Sequence, residues 1–448
     1  MTRTTTMRSI TIITGITAAL TGAAQGPLTL GLQQAMDLAA QQSYNVRASA
    51  LEAQKSIARS KEVTAIGFPQ INGEVKAQNF IDVPKTLVPN FFTPGIGPEY
   101  IAAQFSLPWN TSAGLTLTQL IFDGSYLVGL QAARELKVQS EEDLQKAQAD
   151  ARNQAAKAYY GVLAAEEGSR LVGEGIPLLE KSLREVTAML EAGFMEQTDV
   201  DRISIQLEQA RARQRDFQRQ AEVARMLLAL TLGTPQGTPI TLTDKLEVLL
   251  ADANEAALME QPFDPGTHIE QQYANTIVRL QELNVRNDKA KALPSLAGFL
   301  SHQQVWNGPS FDPGGEYPFF PTTVWGLQLN VPILSSGQRH HKLKQDQLGL
   351  EQVRINQTAT EQRLRTLAEQ QRTQTRSASD NFRTAERNLQ LAKNIFDRTS
   401  IKFTNGSASS FELTQEQGNH LLAQQTYVQD LVQLLIARAD LRKALDLY

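Results

Sequence analysis

The chain has 448 residues, 43 basic against 47 acidic side chains for a net charge of −4, and no cysteine. The mildly acidic balance argues against nucleic acid as a partner, and the lack of cysteine excludes disulfides, thiol nucleophiles and a lipid carried on an N-terminal cysteine. No stretch past the first residues approaches about 18 consecutive apolar residues, so no helix is expected to cross a membrane.

Residues 1–24 read as a secretory signal peptide. Arg3 and Arg8 precede the apolar run Ser9–Leu20, and the small residues Gly22 and Ala24 follow at the spacing of a cleavage site. Loss of this leader removes two positive charges and no acidic one, so −4 becomes −6.

From Leu28 to Val63 the apolar residues recur at three- and four-residue spacing, through Leu32, Ala35, Met36 and Ala39 to Ile57 and Ala58, which predicts a helix. Gly67-Phe68-Pro69 ends it, because proline lacks the N–H and disfavours helix in the residue before it. The period then changes to two. Ile71, Gly73, Val75 and Ala77 alternate with Asn72, Glu74, Lys76 and Gln78, the pattern of a strand with one apolar and one polar face. A loop rich in proline and aromatics, Phe80 to Trp109, leads to a second such strand. Trp109, Thr111, Ala113, Leu115 and Leu117 share one face, Asn110, Ser112, Gly114, Thr116 and Thr118 the other, and Asp123-Gly124 closes it.

A helical pattern then runs almost unbroken from Gly124 to Gly193, about 70 residues or roughly 100 Å. Ala147, Ala151, Ala155 and Ala158 form a small-residue seam along it, and Gly173-Glu174-Gly175-Ile176-Pro177 predicts a kink. Gly193 turns the chain, Thr198-Asp199-Val200 follow, and a return helix spans Asp199–Leu232.

The same order then repeats. Leu293-Pro294 answers Phe68-Pro69, and a strand Leu296–Gln304 and a second aromatic loop, Val305–Pro321, follow. The closing strand has Trp325, Leu327, Leu329 and Val331 on one face and Gly326, Gln328 and Asn330 on the other. It leads through Pro332 to Gly337, a long helix, the turn at Gly406 and a last helix Phe411–Leu447. Gly114 falls on Gly326 at an offset of 212, and Gly124 on Gly337 and Gly193 on Gly406 at 213. So constant an offset marks one unit used twice. The organisation is therefore 25–233 as a first structural repeat, 234–266 as a connector packed on the helical body, and 267–448 as a second repeat. The copies differ where Glu386, Asn388 and Gln390 stand at the positions of Gly173, Gly175 and Pro177.

Strands with one apolar and one polar face in an exported chain suit either a soluble sheet or an outer-membrane β-barrel with its apolar face to lipid. Trp109, Trp306 and Trp325, at strand ends or beside the loops, favour the barrel, where aromatic girdles sit. On that reading Ile71, Val75, Leu115, Leu117, Leu327 and Leu329 face lipid, and Pro69, Gly124, Pro294, Pro332 and Gly337 mark the transitions between helix and strand. Four strands do not close a barrel, and an open edge in lipid leaves backbone groups unpaired. The chain must therefore oligomerise, and two, three or four copies each satisfy the strand arithmetic.

No catalytic constellation is present. There is no serine elbow and no phosphate-binding glycine loop. The five histidines, His268, His302, His340, His341 and His420, lack metal-ligand spacing, so neither a metal nor a cofactor is expected. An exported coiled-coil scaffold of the cell envelope would account for the long helices but not for the four alternating strands.

The repeated order of helix, proline, two strands, very long helix, glycine turn and helix resembles the TolC family of outer-membrane efflux proteins. Phe68-Pro69 with Leu293-Pro294, the strand exits at Gly124 and Gly337, and the turn from Gly193 to Thr198-Asp199-Val200 carry the resemblance over essentially the whole mature chain. The second turn is looser, with Phe411-Glu412-Leu413 in place of Thr-Asp-Val. The resemblance implies a mainly α fold with a small β part. It implies a homotrimer in the outer membrane, with four strands per chain in a twelve-stranded transmembrane barrel set on a long α-helical coiled-coil tunnel through the periplasm. It also implies a passive conduit for small molecules or proteins, served by a periplasmic adaptor (membrane fusion) protein and an inner-membrane transporter. The adaptor would dock at the tips and tunnel entrance, at Gly193, Phe194, Thr198, Asp199, Gly406, Ser410 and Glu412. Asp199 and Glu412 are either helix caps or a ring of carboxylates that favours cations.

Overall fold

A computed structural model describes residues 28–91, 96, 98–250, 255–313 and 315–448. The expected signal peptide lies outside the described residues. In chain order the elements are β1 (Leu28–Leu30), α1 (Leu32–Gln42), α2 (Tyr44–Ala65), β2 (Gln70–Asn79), β3 (Lys85–Pro89), β4 (Tyr100–Gln104) and β5 (Trp109–Phe122), followed by α3 (Gly124–Glu191) and α4 (Gln197–Leu232). The connector holds β6 (Ile240–Leu242), α5 (Leu246–Leu250) and α6 (Glu255–Glu260). Then come α7 (Ile269–Ala290), β7 (Ser295–Gly308), β8 (Phe320–Asn330), α8 (Gln338–Thr404) and α9 (Ser410–Ala444).

The two long helices span 68 and 67 residues, and each is followed by a return helix of about half that length, 36 and 35 residues. Asp123 starts α3: its backbone is extended, and its carboxylate accepts from the Tyr126 N–H at 3.0 Å and the Ser125 hydroxyl at 2.6 Å. This satisfies one of the donors that a helix start leaves unpaired. Helix α3 continues through Pro177 without interruption. At the far end α4 stops at Gly233, left-handed at φ +71°, where a Cβ would come within 2.2 Å of the Gln42 carbonyl. Among the described residues no helix is long and apolar enough to cross a membrane.

The long helices lie against their return helices, α3 on α4 and α8 on α9, while α2 packs on α3, α7 bridges α3 and α8, and α9 also reaches α3. The largest core forms where α3, α4 and α9 meet the connector, around Ala155, Tyr159, Leu228, Leu232, Leu431, Leu434, Ile240 and Leu246. Ala151 and Ala155 are buried, and Ala147 and Ala158 are partly buried against the same core. Such small side chains let helix axes approach closely. Tyr159 Oη lies 3.1 Å from the Leu30 carbonyl and 3.0 Å from the Asp244 carboxylate, which itself accepts from the Leu32 N–H at 2.6 Å. One buried phenol thus ties the chain start to the connector, where β1 pairs in parallel with β6.

The main sheet has the order β2-β5-β7-β8, antiparallel throughout. Two strands come from each half of the chain, and among the described residues β2 and β8 have no further partner strand.

Three local expectations are corrected. Leu28–Leu30 is a strand rather than the start of a helix, because its partner β6 lies more than 200 residues away and no local pattern announces it. The helical stretch after it is broken at Ser43, an extended residue at φ −57°, ψ 146° between α1 and α2. The loop Phe80–Trp109 contains the hairpin β3-β4, paired from Lys85↔Gln104 to Pro89↔Tyr100. The tryptophans also part company. Trp109 packs on Phe311 with ring centroids 4.9 Å apart, and Trp325, in mid-strand, is 78 % exposed. Trp306 is fully buried, so it has no place in an exposed girdle.

Candidate functional site

The register of the four strands decides which residues share a face. Reading across the sheet, Ile71, Leu117, Leu300 and Trp325 form one rung and Gly73, Leu115, His302 and Thr323 the next. Val75 pairs with Ala113, Leu327 with Gly298 and Leu329 with Leu296 on the same side. All six positions read as lipid-facing therefore lie on one face. Five of them are exposed, and Leu117 is half-buried. Leu296 and Leu300 join them, and nothing but the alternation of β7 could have pointed to them. On the opposite face Asn110 Nδ2 donates to Asn307 Oδ1 at 2.8 Å, and the Thr116 and Ser301 hydroxyls lie 2.9 Å apart. One face is thus mainly apolar, apart from the hydrogen-bonded pair His302 and Thr323, and the other carries hydrogen bonds between polar side chains.

The transitions between helix and sheet cluster at one end of that wall. Pro69 precedes β2, Pro294 precedes β7, Pro332 follows β8, and Gly124 and Gly337 precede α3 and α8. A Cβ on Gly124 would meet the Leu293 side chain at 2.9 Å and the Ala290 carbonyl at 3.3 Å, so the first repeat's strand exit packs on the second repeat's strand entry. At α8 the start is different in kind. Ser336 and Gly337 are both left-handed, at φ 46° and 84°, and Arg339 donates to the Pro332 carbonyl at 3.1 Å from both terminal nitrogens.

At the other end of the long helices are two turns. Gly193 and Gly406 have φ +81° and +73°, and nothing lies within 4 Å of where their Cβ atoms would stand. The requirement at both is therefore conformational, since left-handed backbone costs an L-residue about 1–2 kcal/mol. Phe194 is 81 % exposed beside the first turn. Asp199 sits three residues after the N-cap Glu196 and accepts its N–H at 3.1 Å; Glu412 sits three residues after the N-cap Ser409 and accepts its N–H at 2.9 Å. Both acids therefore reach back to the N-cap backbone in the manner of a capping box. Thr198 hydrogen-bonds the Glu196 carboxylate at 3.3 Å.

The turns also touch each other. The buried Ser410 hydroxyl donates to the Asp199 carboxylate, and the Arg202 guanidinium lies 5.5 Å above the Phe411 ring. The Ser410 bond, with the Glu196 N–H second, holds the Asp199 carboxyl below the ordinary carboxylate range. Arg202 was not legible as a site residue, because its partner Phe411 lies 209 positions along the chain, 411 less 202.

Between the tips and the main core lies a polar layer outside the expected site residues. Gln417, His420 and Gln424 of α9 are all buried there, and the His420 ring stacks on Phe396 at 5.8 Å and 8°. Their i, i+3, i+7 spacing on one helix face was the available signal.

The family model for outer membrane efflux proteins matches residues 35–234 and 274–446. No curated protein sequence matches the chain. Among solved structures, the fold is similar to that of CusC, with a TM-score of 0.72 at 16 % identity over 92 % of this chain and 91 % of that one. It is also similar to the CmeC outer membrane channel of Campylobacter jejuni (0.68, 14 %, covering 92 % and 85 %). A third similar structure is the outer membrane protein VceC of Vibrio cholerae (0.66, 14 %, covering 92 % and 95 %).

Proposed function

The chain belongs to the outer membrane efflux protein family, and from that premise we propose that three copies form a passive conduit through the outer membrane. The observation that carries this reading is the four-stranded sheet with one mainly apolar face, one face of hydrogen-bonded polar side chains and, among the described residues, two unpaired edges, β2 and β8. Such a sheet is unstable in lipid as a single piece, because each unpaired backbone group there costs several kcal/mol. Pairing β8 of one copy with β2 of the next removes both edges, and three copies close a twelve-stranded barrel.

The helices α3, α4, α8 and α9 then continue the barrel as a tunnel of twelve helices. At roughly 100 Å for the longest, they extend well beyond a bilayer whose hydrocarbon core is about 30 Å. The tunnel ends at Gly193 and Gly406, where a periplasmic adaptor docks against the exposed Phe194, Thr198 and Glu412, while the buried Ser410 ties the two turns together from within. An inner-membrane transporter behind the adaptor supplies the energy. The cargo is small molecules or proteins, and the conduit itself does no chemistry.

The test is the native mass of the purified protein in detergent together with the ion current it carries across a planar bilayer. A trimer with a small, cation-biased conductance supports the conduit. A monomer without current sinks it.

A further inference from the structure

Short of the tips, α9 contributes a polar layer where it faces α3 and α8, beside which Leu183 of α3 touches both neighbouring apolar clusters. On one side of it lies a cluster around Val172, Phe217 and Val428, and on the other a cluster around Ile203, Phe403 and Leu413. Between them Gln417, His420 and Gln424 are only 1, 7 and 5 % exposed. Gln424 Nε2 donates to the Leu171 carbonyl of α3 at 2.9 Å and lies 3.2 Å from His420 Nε2. Gln417 Oε1 and Gln424 Oε1 are buried without a hydrogen-bond donor facing them, and His420 Nδ1, which carries the N–H of a neutral ring whose Nε2 accepts from Gln424, is buried without an acceptor. Each such group weakens the packing relative to a satisfied one.

The stretch of α3 against this layer is itself soft. Pro177 has no N–H, so the Gly173 carbonyl four residues earlier lacks its helical donor. Gly173 and Gly175 stand where better helix formers would hold the helix more firmly. They admit side chains from the facing helices: a Cβ on Gly173 would meet Gln214 Nε2 at 2.4 Å, and one on Gly175 lies 4.0 Å from Gln417 Nε2. The matched positions of α8 are Glu386, Asn388 and Gln390, so only the first repeat is built this way.

We propose that this layer is an acid-sensitive hinge, in which protonation of His420 loosens α9 from α3 and frees the tips to move. The proposal rests on reading the turns as the tips of a conduit. A charged imidazole finds no uncommitted carboxylate among the groups around it. On α8 the flanking charges Asp397 and Lys393 are paired with each other at 2.8 Å, and Phe396 presents a ring face rather than an acceptor. On α3, Glu167, Arg170 and Glu174 are tied together, and on α4 Arg211 is held by Glu180 and Glu208. On α9 itself Glu416 accepts from the Asn419 amide.

Burial, the largest cause, pushes the His420 imidazole below its ordinary value of 6.5; Asp397 opposes this and Lys393 adds to it. The packed layer therefore prefers the neutral ring, while a loosened layer exposes the ring and lets it titrate near 6.5. Packing is at full strength above that pH and loses stability as the pH falls below it.

Hydrogen exchange of the purified, detergent-solubilised protein at about pH 7.5 and 5.5, corrected for intrinsic rates, tests the hinge. Amides of 171–191 and 410–424 should exchange several-fold faster at the lower pH, and His420→Gln, neutral at both, should abolish the difference. His420→Phe serves if the glutamine variant does not assemble. An acid response that survives in the variant, or none in the parent protein, overturns the hinge. Bilayer currents on the same samples separate the two readings. Current with pH-independent tips overturns the hinge and leaves the conduit standing, whereas acid-dependent exchange without current at either pH supports the layer and counts against the conduit.

Discussion

The Ser410 hydroxyl of one tip donates to the Asp199 carboxylate of the other, joining two turns 211 residues apart in sequence. The same carboxylate caps α4 through the Glu196 N–H. One side chain thus stabilises its own helix and ties it to the second repeat.

Removing that tie should loosen the tips without affecting the barrel. Ser410→Ala forfeits a hydrogen bond to a charged group, worth about 1.5–3 kcal/mol in general and less here, where solvent reaches the carboxylate. Because the folded Asp199 carboxyl lies below its ordinary value of 3.8, its contribution is present above that pH and is lost as the pH falls through the lower, folded value. Exchange at the amides of 193–203 should therefore rise in Ser410→Ala at neutral pH, and in the parent protein only below about pH 4.

Valine at Gly193 or Gly406 should abolish export while the trimer still forms and inserts. No neighbour obstructs a side chain at either site. The penalty is the left-handed backbone alone, about 1–2 kcal/mol, and it falls on the turn rather than on the sheet. Native mass, membrane fractionation and an export assay on the same variants check this; loss of the trimer would contradict the assignment of these turns to the tips.

Arginine at Leu115 or Leu329 should impair membrane assembly by about 2–4 kcal/mol if the site lies near mid-bilayer. Gln328 is next to Leu329 in sequence and on the other face of β8. Gln328→Arg should therefore assemble normally. Folding yields in detergent and in liposomes compare the three variants, and equal yields would mean that the faces are reversed.

Gly168→Ala should destabilise the middle of the helical body. Its Cβ would stand 2.6 Å from the Phe217 ring, an overlap of the kind that costs about 1–3 kcal/mol in a packed core. Phe217→Leu should restore part of the loss in the double variant, and thermal unfolding of the four proteins reads the coupling.

What could be read along the chain about the site was what local geometry imposes. Gly193 and Gly406 announce themselves because few other residues tolerate a positive φ. The faces of β5 and β8 announce themselves because side chains alternate along a strand. Ser410 was legible as a tip position, but its bond to Asp199 was not. The same holds for Arg202 above Phe411 and for the Gln424 amide on the Leu171 carbonyl, since each joins helices that meet only after folding.

The larger division follows the same physics. Periods of 3.6 and 2, a proline before each sheet entry and a constant offset between the two copies are properties of neighbouring residues, so the mainly helical repeat with its four two-faced strands is written in the sequence. Which β-strand pairs with which, that Leu28–Leu30 joins Ile240–Leu242, that Trp306 is buried, and that three polar side chains of α9 are enclosed against a softened stretch of α3 are decided only in three dimensions. Those outcomes depend on loop closure over tens to hundreds of residues and on which faces remain to be covered once the long helices have packed.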